Sequence, residues 1–145
     1  MVTENVFLYT EKAYEKGVRI ISKMDAEQYA LIDRHMISTV LRNLISNSVK
    51  FTKQGDEITV DARINSNLIE ISVIDTGVGI SEENVEKIFQ IDSNISTQGT
   101  AEESGTGLGL IISREFIEKN GGTINVKSKE GEGTRFTFTV PVYNA

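Results

Sequence analysis

A chain of 145 residues, 39% hydrophobic and 25% charged, has the length and balance of one globular domain that buries a core without staples. Zero cysteines exclude disulfides and cysteine-based metal sites, a single histidine argues against zinc, and no apolar run approaches the roughly 20 residues that span a bilayer. The formal net charge of −6, with no compensating lysine/arginine cluster, argues against general nucleic-acid binding and fits a cytoplasmic domain without direct membrane contact.

In chain order, Asn5 to Lys16 reads as a helix ended by Gly17. Val18 to Ser22 and Tyr29 to Ile32 are short strand candidates. Asp33 can cap a long helix to about Lys50, in which Ile37, Val40, Leu41, Leu44 and Ile45 fall at helical spacing. Gly55-Asp56 is a turn. Ile58, Val60, Ala62 and Ile64 alternate with polar residues, Asn65 to Asn67 reverses the chain, and Ile69, Ile71 and Val73 continue a second strand, which makes a hairpin. Ser81 starts a helix that runs to about Phe89. Asp92 to Ser104 is polar and without period, hence a loop. A helix follows from about Leu108 to Lys119, closed by Asn120 to Gly122, and the strands Thr123 to Lys127 and Arg135 to Val140 flank a turn at Glu130 to Gly133. Hairpins in place of regular strand–helix alternation predict an α+β fold: a two-layer sandwich with one mostly antiparallel mixed sheet and helices on one face.

Three stretches carry polar groups suited to chemistry. Asn43, Asn47 and Lys50 share a narrow stripe on the long helix, offering amide oxygens for a hard cation and a point charge for phosphate; an ordinary solvent-facing helix has the same pattern. Asp75 ends an apolar strand just before Gly77 and Gly79, where a carboxylate can accept from an exocyclic amine such as that of adenine, or simply mark a turn. Gly105, Gly107 and Gly109 precede a helix, an arrangement that lets backbone N–H groups approach an anion. It is neither a dinucleotide fingerprint, since Leu110 stands where the third glycine belongs, nor a Walker loop, since no Gly-Lys-Ser/Thr ending follows.

Taken together, in this order and at these separations, the segments resemble the ATP-binding catalytic domain of sensor histidine kinases, in the ATPase superfamily shared with gyrase, the mismatch-repair protein MutL and heat-shock chaperones (the Bergerat fold). Asn43 to Phe51 matches the asparagine box, Asp75 to Ile80 the first glycine box, Lys87 to Phe89 the phenylalanine box, Gly105 to Leu110 the second glycine box, and Gly133 to Phe136 the threonine-containing stretch. The resemblance covers about Tyr9 to Val142. It implies a single catalytic domain over 1–145, with a lid loop at about 92–106.

The resemblance also implies roles. Asn47 coordinates Mg²⁺ on the phosphates of ATP, with Asn43 nearby; Lys50 meets phosphate oxygens and Phe51 packs near adenine. Asp75 accepts from the adenine amine and Thr134 assists through water. Gly77, Gly79 and Ile80 shape the base pocket, while Gly105, Thr106, Gly107, Leu108, Gly109 and Leu110 form the lid hinge and phosphate cradle. Phe89 packs at the lid base. Two departures stand out: Gln90 to Ser104 has no basic residue, with Gln98 where a lysine is sought, and Phe89 is followed by Gln90-Ile91 with no second phenylalanine.

Hydrolysing relatives carry a glutamate at the position of Asn43, and an amide is no general base, so phosphoryl transfer is expected over rapid hydrolysis. The acceptor implied is a histidine on a separate, upstream dimerisation helix absent from this chain. His35, at the start of the long helix, is expected to be a surface residue. The isolated domain is accordingly expected to be monomeric and unable to phosphorylate itself. Its implied partners are those upstream helices and a response regulator, in a longer protein that resides in the cytoplasm or is anchored at the membrane. An anti-sigma-factor-type serine kinase and a nucleotide-gated interaction module are the competing readings.

Overall fold

The computed structural model describes residues 1–24, 27–90, 99 and 108–143. Helix α1, Val2–Glu15, buries Val2, Asn5, Val6 and Ala13, and Gly17 leaves it at φ 73°, a left-handed turn that suits glycine. Strand β1, Arg19–Met24, follows. The chain then reaches α2, Arg34–Lys50, whose N-cap Asp33 accepts from the Met36 N–H at 3.0 Å. Ile37, Val40, Leu41, Leu44, Ile45 and Val49 sit at 3–4 residue intervals along α2 and all are buried. Each such side chain removed from water contributes roughly 1.5–3 kcal/mol, so this stripe fixes which way α2 rolls onto the sheet.

Strands β2, Glu57–Asn65, and β3, Leu68–Asp75, form the expected hairpin through a two-residue turn in which Ser66 takes φ 57°. A four-residue helix α3, Glu82–Val85, and helix α4, Gly109–Lys119, precede the last pair of strands, β4, Ile124–Lys129, and β5, Gly133–Pro141. The strand order is β1-β2-β3-β5-β4, with β1 and β2 parallel and every other pair antiparallel. Ile58, Val60, Ile71, Val73, Phe136, Phe138 and Val140 point from one face into the core under α2 and α4, while Asp61, Arg63, Glu70, Ser72, Arg135 and Thr137 project from the other. Period-two alternation thus yields the α+β sandwich.

Three expectations change. Helix α1 starts three residues earlier than Asn5. Tyr29 to Ile32 is no strand: it makes one bridge, Ala30 to Val142, and leaves Tyr29 and Leu31 exposed, because β5 ends where that pairing begins. The helix from Ser81 stops at Val85, and the chain goes on in i→i+3 turns (Lys87 N–H to Asn84 O, Gln90 N–H to Lys87 O), with Ile88 alone buried among residues 81–90. The lid loop expected at about 92–106 lies, Gly99 apart, outside the described residues. Among the described residues no helix is long and apolar enough to cross a membrane.

Candidate functional site

Strand β3 delivers Asp75 to the rim of the sheet with 6% of its surface exposed. Both carboxylate oxygens have donors: the Gly77 N–H reaches Oδ1 at 2.9 Å, and the Ser48 hydroxyl, from the buried face of α2, reaches Oδ2 at 3.1 Å. Burial is the largest influence on this carboxyl and pushes it above the ordinary carboxylate range, with Asp56 adding to the push. The hydrogen bonds from Gly77, Ser48 and the Thr134 backbone pull the other way without cancelling it. A carboxylate held this way costs desolvation energy that the fold alone does not repay.

Around Asp75 the backbone comes unusually close. A Cβ on Gly77 would collide with the carbonyl oxygen of Phe51, and one on Gly79, which sits at φ 71°, would collide with that of Lys129. The first glycine box therefore lies flat between the end of α2 and the β4–β5 turn, tied by Val78 N–H to Phe51 O at 3.1 Å and Gly131 N–H to Val78 O at 2.7 Å. Thr134 faces Asp75 in register, is buried, and its Oγ1 is 2.8 Å from Ser128 Oγ. Ser128 also accepts from the Ile80 N–H at 2.7 Å and donates to Gly133 O at 2.9 Å, so one hydroxyl joins three segments of the chain at the rim.

On α2, Asn43, Asn47 and Lys50 are half-buried beside the apolar stripe. Lys50 Nζ stands 5.0 Å from the centroid of the Phe51 ring. The Lys16 ammonium donates to Val49 O at 2.7 Å and Lys50 O at 3.3 Å, placing a positive charge at the negative end of the helix. Two turns back, Asn43 Nδ2 donates to Gly109 O and Ser113 Oγ, both at 3.2 Å, and so fastens α2 to the start of α4. Leu110 and Phe89 are half-buried against the core, and Leu108 is half exposed at the start of α4. Gly109 differs from Gly77 and Gly79: a Cβ there would meet Asn43 only at ordinary contact distance, 3.6 Å.

Contacts link the expected residues pairwise: Asp75 meets Ser48 of α2, Gly77 and, in register, Thr134; Val78, between Gly77 and Gly79, meets Phe51; Ile80 meets Ser128; and Asn43 meets Gly109, with Asn47 and Lys50 on the same helix as Asn43. Gly105, Thr106 and Gly107 lie outside the described residues, as does Gln98. His35 is exposed at the far end of α2, roughly 18 Å of helix rise from Asn47. Among the described residues no trio of His, Cys, Asp or Glu could hold a metal. Amide oxygens remain, and they suit Mg²⁺ on a polyphosphate, which takes one or two protein oxygens and fills its octahedron with water and phosphate. Ser48, Ser113 and Ser128 were not among the residues singled out from the sequence. For the first two a signal existed: Ser48 follows Leu41, Leu44 and Ile45 on the apolar stripe, and Ser113 lies between Leu110 and Ile117 on another.

Residues 32–144 match the model of the histidine kinase-, DNA gyrase B-, and HSP90-like ATPases, and the chain belongs to that family. Within it the similarity is to histidine kinases. The sensor histidine kinase WalK of Bacillus subtilis (strain 168) is 39% identical over 134 residues, 90% of this chain and 22% of WalK. The catalytic domain of the histidine kinase ThkA, solved nucleotide-free, gives a TM-score of 0.81 at 33% identity, over 97% of this chain and 89% of that one. ThkA in complex with the response regulator protein TrrA gives 0.76 at 28% identity, over 98% and 39%. Full-length ShkA in complex with AMPPNP gives 0.83 at 27% identity, over 99% and 30%. The chain spans between 8% and 26% of the lengths of the first curated relatives it matches.

Proposed function

We propose that this chain is the ATP-binding catalytic domain of a two-component sensor histidine kinase, and that it presents the γ-phosphate of ATP to a histidine on a separate dimerisation helix. The observation that carries the reading is the Asp75 carboxylate, buried yet braced by Gly77 and by Ser48, which belongs to the same helix as the Asn43–Asn47–Lys50 stripe.

In this reading Asp75 accepts from the adenine amine, as only an acceptor at that place distinguishes adenine from guanine. Phe51 and Ile80 pack at the base, Gly77 and Gly79 keep the wall thin enough to admit it, and Thr134 reaches it through water. Lys50 meets phosphate oxygens. Asn47, with Asn43 beside it, offers the protein oxygens for Mg²⁺, which when bound supplies neutralisation of the phosphate charge. The second glycine box, Gly105 to Leu110, gives its N–H groups to the phosphates. Asn43 has no basicity with which to activate water, so the γ-phosphate waits for an imidazole. The imidazole nitrogen attacks phosphorus, the bond to the β–γ bridging oxygen breaks, and ADP leaves with that electron pair. The partners are the upstream helices and a response regulator, on the cytoplasmic side of a membrane-anchored or soluble protein.

The test supplies the upstream histidine-bearing helices and ATP labelled in the γ position. Label on the helices, stable to alkali and lost in acid, is the expected result. Acid-stable label on serine, or label released only as inorganic phosphate, would overturn the assignment. Equal affinity for ATP and GTP would contradict the role of Asp75.

A further inference from the structure

The Asn43 carboxamide nitrogen has two acceptors within reach, Gly109 O and Ser113 Oγ, both at 3.2 Å. Gly109 O is a carbonyl and only accepts. The Ser113 hydroxyl spends its single proton on that same carbonyl, at 2.8 Å, so it too has only a lone pair to offer Asn43. An amide turned end for end would press Oδ1 against the Gly109 carbonyl oxygen, which has no proton for it. Chemistry therefore dictates that nitrogen faces α4.

Ser113 is wholly buried, between Leu110 and Ile117 on the inward stripe of α4. An alanine would fill nearly the same space, so packing does not account for the hydroxyl. We propose that Ser113 is a positioning residue for Asn43: its hydroxyl fixes the carboxamide so that Oδ1, the atom able to ligate a hard cation, is the one α2 presents to a magnesium-bound polyphosphate. Gly109 O alone would offer the nitrogen one acceptor. The Ser113 hydroxyl adds a second beside it and, by donating to that carbonyl, holds both in place. The same contact couples that amide to the seating of α4, the helix that begins in the second glycine box. This inference rests on the nucleotide reading of the site.

The experiment compares wild type, Ser113→Ala, Asn43→Ala and the double variant by titration with Mg-ATP and with adenosine, which lacks the phosphates. The side-chain amide signals of Asn43 are followed by NMR in the first two. Ser113→Ala is expected to bind adenosine as the wild type does, and to lose about three- to tenfold in Mg-ATP affinity, the scale of one hydrogen bond. Its Asn43 NH₂ signals lose protection from exchange, and the double variant is no worse than Asn43→Ala. Unchanged Mg-ATP affinity, equal losses for both ligands, or fully additive losses in the double variant would each overturn the proposal. A wild type that binds neither ligand would instead bring down the reading of the site, and the proposal with it.

Discussion

Asp75 is the residue at which fold and proposed function pull apart. Its carboxyl titrates above the ordinary range, so between that range and its raised value the folded chain holds more protons than the unfolded one. Stability contributed by this group is then greatest in acid, declines as pH climbs through that window, and is flat above it. Asp75→Asn removes the decline. Its melting temperature relative to wild type should improve from acid to neutral pH, while ATP affinity falls about 10- to 100-fold and the preference over GTP disappears. Thermal melts at two pH values and nucleotide titrations check both halves. The glycines divide in the same spirit. Gly77→Ala forces a side chain onto Phe51 O and is expected to cost about 1–3 kcal/mol in urea unfolding. Gly109→Ala meets no such obstacle and, in a helix, gains up to about 1 kcal/mol. If Gly109→Ala nevertheless weakens Mg-ATP binding, the glycine serves the ligand rather than the fold. Alternation and motif spacing make the placement of Asp75 at the end of β3, and of the first glycine box after it, legible in the sequence alone. The braces are only half legible there: stripe spacing marks Ser48 and Ser113 as inward-facing, but not what they meet. Ser48 and Ser113 become meaningful only when β3 and α2 close on them.

Helix α2 organises the elements. Its start is readable from Asp33 and its inward face from the spacing of Ile37 to Ile45, since both depend on neighbours in sequence. Its end near Lys50 is readable too, but not the group that caps it: Lys16 lies beyond β1 in the chain. Lys16→Met keeps most of the stem and removes the charge from two carbonyls. Unfolding free energy should drop by about 1 kcal/mol, measured by urea titration. The misread segments fail for a related reason. Tyr29 to Ile32 has the residues of a strand but finds only the last residues of β5 beside it. The helix after Ser81 has a cap and acidic first-turn residues, yet only Ile88 is buried to hold it, and propensity without an apolar face sustains barely one turn.

At the scale of the molecule, the sheet and helices α1, α2 and α4 share one core, with Phe136 and Phe138 its largest buried side chains. Phe138→Ala leaves a cavity under α2 and is expected to cost about 3–5 kcal/mol, a large part of what a domain of this size possesses, with a matching fall in the urea midpoint. The chain's ion pairs lie mostly on the surface, and they contribute little by comparison. Asp75 and Thr134 stand side by side in the register of β3 and β5, although the whole of α3, α4 and β4 separates them along the chain. While the polypeptide leaves the ribosome, the carboxylate therefore emerges long before its neighbour does. On the proposed function, a base pocket that uses both residues is complete only once β5 has been made.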